Sequence, residues 1–398
     1  MKRASILAIC AVVGMPLFVG CAENPRPGGI VISGNENKLD LTTGTQKPIL
    51  NAAPDSLSII DFAAFPPKVT TIDHVPNSVV GPPSNIAISP DGKMALVSNS
   101  LKLDATAAAG WVPEFYVHIL DLTANPPKVV GQVKTDAQPS GLSIAPDGKL
   151  AIVANRAAGT VNVLTIDGMK VTNTQSLKVC EPAESASDVA ISPDGKMALV
   201  SIQKGGVLAI LNIDAGKVSL SPHKISAYGQ PYRVVITPDG ELALTPGSGY
   251  GNGLDQDAMT VVDLKAPGGP RATAFVSVGT NLESMEISPD GQLAAVVAME
   301  GSNTGPENPI HSSAGAVVIL KRQGKTYVKS QHIPVGRIPE GVAFTNNGKY
   351  LLVQCHPDRK IWIFKVGSDG NVTDTGQRIE TPGMPSSIRA AMIPQMPY

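Results

Sequence analysis

Acidic and basic side chains stand at matching positions of a phrase that this chain repeats along its length. Each copy opens with a short apolar run, and Asp188, Arg233, Glu283 and Glu340 enter such runs, with Arg337 just before the last of them. Arginine offers a planar set of donors that matches a carboxylate or a phosphate. The set therefore predicts a site for a small polar or anionic ligand. An alternative stays open, in which these charges pair with each other and fix neighbouring repeats.

Three of the six histidines fall in predicted loops. With Glu340, the residues His74, His311 and His356 have the ligand types of a zinc site. Their spacing is not local and no His-Glu-x-x-His motif is present, so we predict no metal, while His311 and His356 remain candidate ligand-binding residues. Cys355 directly precedes His356, and adjacent residues of a strand point to opposite faces, which argues against a nucleophile and base couple.

The sequence predicts no cofactor. The stretch GNGLDQD (251–257) lacks the full pattern of a calcium loop. There is no G-x-S-x-G, Walker or dinucleotide-binding motif, and no C-x-x-C-H haem attachment site. The sequence therefore leaves open whether the chain is an enzyme.

The repeated phrase itself predicts the β-strands that position these residues. AISPDGKMALVS occurs at 87–98 and again, unchanged, at 190–201. Two apolar arms flank Pro-Asp-Gly, and Asp-Gly tolerates the positive φ of a tight hairpin, so each copy predicts two antiparallel strands. Looser copies bring the turn glycines to six, spaced by 45 to 57 residues: Gly92, Gly148, Gly195, Gly240, Gly291 and Gly348.

The repeats predict an all-β propeller. Each copy is followed by a third strand pattern and a weaker fourth. A four-stranded sheet cannot bury both faces alone, whereas radial stacking of such sheets does. Residues 28–41 and 57–72 lack a first strand, which residues 383–394 supply. We therefore predict one domain, residues 30–398, with seven blades of four antiparallel strands and a seventh blade closed by both termini.

The two faces of this predicted disc differ in their loops. The Asp-Gly turns share one face, here the turn face. The opposite loop face carries the links between blades and long loops at about 34–56, 99–115, 246–257 and 299–315. Long loops in a compact domain are usually either functional or disordered, and the loop face is therefore the predicted binding face. The residues entering the first strands rim the channel there: Ser84, Asn85, Ser140, Ser187, Asp188, Tyr232, Arg233, Glu283, Glu340, Ser386 and Ser387.

The start of the chain carries an export signal. A basic pair precedes an apolar run that ends in Leu-Phe-Val-Gly-Cys, which is typical of a signal peptide over residues 1–20 and resembles the lipobox of bacterial lipoproteins. We predict a lipid on Cys21, a flexible tether over 21–29 and no other membrane contact. The protein is then expected in the bacterial cell envelope, facing the periplasm or the outside. Ordinary cleavage near Gly20 is the alternative.

The amino-acid composition limits the classes of molecule that the protein is expected to bind. A net charge of −1 and an aromatic content of 4% argue against nucleic-acid binding, which needs basic charge and stacking side chains. Beyond Cys10 and Cys21 the chain has two cysteines, Cys180 and Cys355. They fall in distant predicted blades, so we expect two partly buried free thiols rather than a disulfide.

The phrases ISPDGKMALVSN and APDGKLAIVAN, each followed by GTVNVLTID or a variant, resemble YVTN-type repeats and the seven-bladed lactonase-like propellers, which include bacterial 6-phosphogluconolactonases. The resemblance covers roughly residues 30–398 and implies the fold. It transfers no site residue, because the repeats are scaffold and no local motif here matches the His, Arg and Glu of the enzymatic members. The expected function is binding of a small ligand or an envelope protein partner on the loop face. A lactonase-like hydrolase acting at the channel mouth is the alternative.

Overall fold

Seven four-stranded antiparallel sheets form a β-propeller, as predicted. The structure is a computed structural model that describes residue 1 and residues 29–77, 80–249 and 255–391. The predicted signal peptide beyond Met1, Cys21 and the tether up to residue 28 lie outside the described residues.

Blades one to three are regular, and their strands follow one another outwards from the channel. They run, in blade one, Ile86–Ile88, Met94–Leu103, Trp111–Asp121 and Lys128–Lys134; in blade two, Pro139–Ile144, Leu150–Asn155, Thr160–Asp167 and Lys170–Lys178; in blade three, Ala186–Ile191, Met197–Ile202, Val207–Asp214 and Lys217–Ser226. A short 3₁₀ turn, Pro182–Glu184, links blades two and three.

Blades four to six follow the same order, and blade four has a divided first strand. They run, in blade four, Gln230–Pro231 with Val235–Ile236, Leu242–Ser248, Asp257–Asp263 and Arg271–Gly279; in blade five, Leu282–Ile287, Leu293–Ala298, Gly315–Gln323 and Thr326–Val335; in blade six, Pro339–Phe344, Tyr350–Cys355, Lys360–Val366 and Val372–Glu380.

Blade seven joins the two ends of the chain, which confirms the predicted closure. Its strands, from the channel outwards, are Met384–Ala390, Ile30–Glu36, Ser56–Asp61 and Lys68–Asp73. The Ala391 N–H donates to the Ile30 carbonyl at 2.9 Å, so the ladder continues to the last described residue.

The repeated turns depend on glycine and on aspartate for different reasons. All six turn glycines have φ between 67° and 72°, whereas no aspartate among the described residues has a positive φ. Asp91 instead accepts hydrogen bonds from the Ser89 hydroxyl (2.6 Å) and the Lys93 N–H (3.1 Å), and the Gly92 N–H donates to the Ser89 carbonyl (2.8 Å). The left-handed conformation that the sequence assigned to Asp-Gly therefore falls on glycine alone.

The core consists of apolar layers between adjacent blades. Between blades two and three, Ile152 and Val161 pack in one cluster with Val189 and Val200, and all four side chains are fully buried. Burial of such a side chain contributes about 1.5–3 kcal/mol relative to exposure. Both faces of the inner strands are covered in this way, which explains why the repeated phrases are nearly continuous in apolar residues.

One predicted loop is instead an extended hairpin. The stretch 99–115 was expected to be a long loop, but the second and third strands of blade one continue to Leu103 and begin again at Trp111. Leu101 and Trp111 pack with Leu39 and Val80 in a small cluster on the loop face. This cluster supplies the burial that an isolated hairpin would lack.

Both remaining cysteines are free and buried, as predicted. Burial raises the pKa of Cys180 to about 11 and that of Cys355 to about 12, so neither thiol is ionised at neutral pH.

Candidate functional site

Four charged side chains on the first strands of four blades form what we call the channel network: Asp188, Arg233, Glu286 and Arg389. Arg233 is only 2% exposed, and its guanidinium donates to Asp188 (3.2 Å) and Glu286 (2.7 Å). Its Nε–H donates to the main-chain carbonyl of Met285 at 2.9 Å. Arg389 donates to the same Glu286 oxygen at 3.0 Å. Every charge in the network therefore has an opposite partner.

Asp188 is the most completely enclosed member of the network. One oxygen accepts from the Ser84 hydroxyl at 2.6 Å, and the other accepts from the Val234 N–H at 2.9 Å. Burial raises the pKa of Asp188, and the charge of Arg233 and these hydrogen bonds oppose the rise. The bond from Val234 also accounts for the divided first strand of blade four, because that N–H turns away from its ladder.

Glu283 and Glu340, which we call the mouth carboxyls, contrast with the network. Among the described residues, neither carboxyl takes part in a hydrogen bond or an ion pair. Burial raises the pKa of Glu283 to about 8, and the positive charge of Arg156 opposes this rise. Burial, followed by the charges of Glu283 and Glu36, raises the pKa of Glu340 well above its ordinary value.

Tyr232 and Arg156 stand beside the mouth carboxyls. The Arg156 guanidinium lies 5.6 Å from the centre of the Tyr232 ring, in a cation–π arrangement. It also donates to the Ser187 hydroxyl and, at 2.7 Å, to the Gln203 side-chain carbonyl. The Tyr232 hydroxyl accepts from the Gly81 N–H at 3.1 Å, and burial raises the Tyr232 pKa. Arg156 is thus fixed by neutral partners, and its charge is left to act on Glu283.

A cavity of about 310 Å³, here the mouth cavity, lies over these residues on the loop face. None of the described residues that line it is a lysine, an arginine or a histidine. Its lining comprises five side-chain amides, three hydroxyls, the two mouth carboxyls, three apolar side chains and a glycine: Gln46, Gln203, Gln230, Asn281, Asn303, Thr45, Tyr232, Ser248, Glu283, Glu340, Leu41, Leu282, Met299 and Gly44.

Part of this lining comes from residues 37–55, which we call the roof insertion, between the second and third strands of blade seven. It contains a small hairpin, Leu39–Asp40 with Lys47–Pro48. The Lys38 ammonium group pairs with Asp55 and reaches the Asn99 side-chain oxygen at 3.3 Å. The insertion is therefore clamped at its base, while its tip extends over blades four to six.

The base of the insertion also meets a buried histidine. His356 and Glu36 are both fully buried, and the His356 Nε2–H donates to Glu36 at 2.7 Å. The other Glu36 oxygen accepts the main-chain N–H groups of Lys38 and of Leu39 (3.1 Å). Glu36 therefore joins blade six to the start of the roof insertion, and its charge acts on Glu340.

The structure separates the predicted site residues into three groups. Glu283 and Glu340 lie together in the mouth cavity. Asp188 and Arg233 lie in the channel network and form an ion pair. For these two residues, the structure thus has the alternative left open by the sequence, in which the predicted site charges pair with each other.

The third group of predicted site residues, Arg337, His356 and His311, does not line the mouth cavity. Arg337 bonds Asp358 at 3.4 Å, His356 is buried against Glu36, and the exposed His311 donates from Nδ1 to the Thr304 carbonyl at 2.8 Å. The ligand-binding role assigned to these residues stays a prediction. Among the described residues, no group of three or more His, Cys, Asp or Glu side chains is arranged to hold a metal ion.

Sequence reasoning missed several lining residues of the mouth cavity, and also Arg156, which lies beside it. Arg156 and Gln203 directly follow the second strands of blades two and three, where short loops gave no signal. Gln46 and Asn303 lie in long loops that were predicted to be functional, but nothing in their local sequence marks them. The common property of Gln46, Gln203 and Asn303, an amide side chain on the loop face, becomes visible only when the blades are placed around the ring.

Comparison with solved structures supports the fold alone. A periplasmic gluconolactonase from Pseudomonas aeruginosa is 18% identical, with a TM-score of 0.65 over 90% of this chain and 98% of that one. Hydrazine synthase from Kuenenia stuttgartiensis is 23% identical, with a TM-score of 0.59 over 79% of this chain and 90% of that one. A functionally unknown protein from Desulfotomaculum acetoxidans is 15% identical, with a TM-score of 0.65 over 91% and 98%. The predicted resemblance to lactonase-like propellers is thus confirmed for the fold. No protein-family model and no curated protein sequence matches the chain.

Proposed function

We propose that this protein binds a small polar ligand in the mouth cavity, as an exported propeller held at the membrane by a lipid on Cys21. The observation that carries the proposal is the lining of the cavity, in which amides, hydroxyls and two carboxyls without partners converge under the roof insertion. Such convergence of polar groups in a concave site is typical of small-molecule binding.

The lining favours a polar ligand that is not an anion. The arginines expected to receive an anionic group are already paired, Arg233 with Asp188 and Glu286, and Arg337 with Asp358. An anion would instead meet the mouth carboxyls, whose repulsion costs free energy. The anionic ligand considered from the sequence is therefore the weaker candidate.

Lactone hydrolysis at the same cavity is a second candidate. It is supported by the fold shared with a gluconolactonase and by Glu283, which holds a proton near neutral pH and has the pKa of a general acid. An envelope protein that docks on the loop face would cover the cavity, so competition with a small ligand would reveal it.

Ligand-induced changes in melting temperature test the proposal. The full-length protein is screened against sugar alcohols, amines, carboxylates and aldonolactones, and acid release from the lactones is followed with a pH indicator. We expect at least one class to raise the melting temperature, and Gln46→Ala and Gln230→Ala to reduce that rise. Lys93→Ala, on the turn face, is the control. A screen without any shift, or a shift that survives both cavity variants, would refute binding in the mouth cavity.

Membrane attachment is tested separately. No helix among the described residues is long and apolar enough to span a membrane. We expect fatty-acid labelling and membrane sedimentation of the wild-type chain, and loss of both in Cys21→Ala but not in Cys180→Ala. Labelling of Cys21→Ala would contradict the proposed anchor.

A further inference from the structure

Glu340 is a deeply buried carboxyl without a partner. It is 2% exposed, it lines the mouth cavity, and within the described residues no hydrogen bond or ion pair reaches it. Two other buried carboxylates have partners: Glu36 is bonded by His356, and Asp188 by Arg233. Burying an acid without a partner costs free energy. A carboxyl kept in this state at a cavity points to a partner that arrives from outside the chain.

A second carboxyl shares the cavity. Glu283 lines it too, and its charge acts on Glu340. Arg156 opposes Glu283, but its guanidinium is held by Ser187 and Gln203 and is not part of the lining. The cavity therefore has two acidic groups and, among its described lining residues, no basic group to balance them.

The remaining walls match the rest of a small amphipathic cation. Side-chain carbonyls, as at Gln230 and Asn281, can accept the N–H groups of an ammonium ion that the carboxyls leave unused. Leu41, Leu282 and Met299 offer apolar surface for a short aliphatic chain. The mixture of acidic, amide and apolar surface is unlike a cage for a bare metal ion, which needs converging oxygen ligands alone.

We infer that the ligand of the mouth cavity is a small organic cation, a primary ammonium group on a short aliphatic chain that pairs with Glu340 and Glu283. This inference rests on the proposed function and adds the charge of the ligand to it. The ammonium group replaces the proton that the mouth carboxyls otherwise hold, so that a costly buried acid becomes a hydrogen-bonded ion pair.

Binding should therefore release protons near neutral pH. The groups that face the mouth carboxyls are Arg156 and Tyr232 at Glu283, and Glu36 at Glu340. Because the pKa of Glu283 is raised to about 8, an amine must displace a proton at lower pH, and its affinity should rise as the pH approaches that value.

Three probes of equal chain length isolate the charge of the ligand. The full-length protein is titrated calorimetrically with diaminobutane, butanediol and succinate, which share four carbons and carry amines, hydroxyls and carboxylates. We expect binding of diaminobutane, with proton release that shows as a dependence of the heat on the buffer, and much weaker binding of the other two.

Two variants and one control complete the experiment. Glu340→Gln and Glu283→Gln keep the shape and hydrogen-bonding capacity of the side chains. Each should reduce the affinity for diaminobutane about ten- to a hundredfold. Glu241→Gln, an exposed carboxylate at the turn of blade four, should change nothing. Equal binding of butanediol, or diaminobutane binding that both glutamine variants leave intact, would overturn the cation assignment. If butanediol binds and Gln46→Ala weakens it, the proposed cavity stands while the inference falls. If neither probe binds and no other compound does, both fall.

Discussion

The channel network and the mouth carboxyls differ in whether their charged side chains form ion pairs, although both groups lie on first strands. Tyr232 faces the cavity while its neighbour Arg233 is locked between Asp188 and Glu286. Glu283 and Glu286 are three residues apart on one strand, yet of the two only Glu286 forms ion pairs, with Arg233 and Arg389. Residue type and position in the repeat do not separate these groups. The two groups are separated by whether each charge forms an ion pair. Paired charges hold blades together, whereas unpaired charges are available to a ligand.

The largest expected effect comes from removing the strand that carries Arg389. Deletion of residues 384–398 takes away the innermost strand of blade seven, so Ile30–Glu36 loses a partner and the ring opens. An exposed strand edge favours aggregation. We expect no cooperative melting by circular dichroism and increased light scattering. A truncated chain that melts like the full one would show that closure contributes little to stability.

Arg233→Ala should have the next largest effect. It leaves the buried Asp188 and Glu286 without that partner, which typically costs about 3–5 kcal/mol. Arg322→Ala is a matched control, because Arg322 also bonds two carboxylates, Asp239 and Glu241, but these are 42% and 50% exposed. The control should lose at most about 1 kcal/mol in denaturant unfolding. Equal losses in the two variants would remove the distinction between buried and exposed pairs.

The pH dependence of stability tests the mouth carboxyls. Glu283 has a folded-state pKa raised from 4.5 to about 8, so the folded protein binds a proton more tightly than the unfolded chain does. The unfolded carboxyl ionises first as the pH rises, and the contribution of this group to stability therefore falls between these two values. Melting temperature should decrease from about pH 5 to about pH 8, and the decrease should be smaller in Glu283→Gln. A pH-independent wild-type protein would contradict the raised pKa.

Glu340→Gln should stabilise the protein while it lowers the affinity for the ligand. A neutral amide avoids the repulsion from Glu283 and Glu36 that acts on the carboxyl. We expect a rise in melting temperature on the order of 1–2 °C near pH 8, for a gain of about 1 kcal/mol. Gain in stability with loss of binding is typical of a functional site. A lower melting temperature would place Glu340 with the structural charges.

The smallest effect is expected on the turn face. Lys93 and Lys196 are exposed, as predicted, and follow the repeated Asp-Gly turns. Alanine at either position should change stability by less than about 0.5 kcal/mol and leave ligand binding unchanged. Loss of binding in either variant would move the working surface to the turn face.

Much of the fold could be predicted because the sequence repeats its own local rules. Each copy contains a glycine whose positive φ the turn requires, and apolar arms that suit strands covered on both faces. The composite seventh blade was predicted because 383–394 matched the first strand that the N-terminal segment lacked. The extension of the blade-one hairpin to Leu103 and Trp111 was not, because its stability depends on Leu39 and Val80, which are distant in sequence.

The site was harder to predict, since the repeat fixes only where a side chain enters the channel. It placed Glu283 and Glu340 at the mouth, where the structure has them, but it placed Arg233 there by the same rule. Whether a charge is paired depends on side chains from three or four blades, such as Asp188 and Glu286. No local pattern carries that information.

The closure of blade seven also fixes the face of the disc at which Gly29 lies. Gly29 packs against Asn346, in the turn between the first two strands of blade six, so Gly29 lies at the turn face. Seven residues lie between Cys21 and Gly29, and the eight steps from one to the other span at most about 28 Å. With a lipid on Cys21, the turn face would be oriented toward the bilayer and the mouth cavity would open away from it, accessible to solutes that diffuse through the envelope.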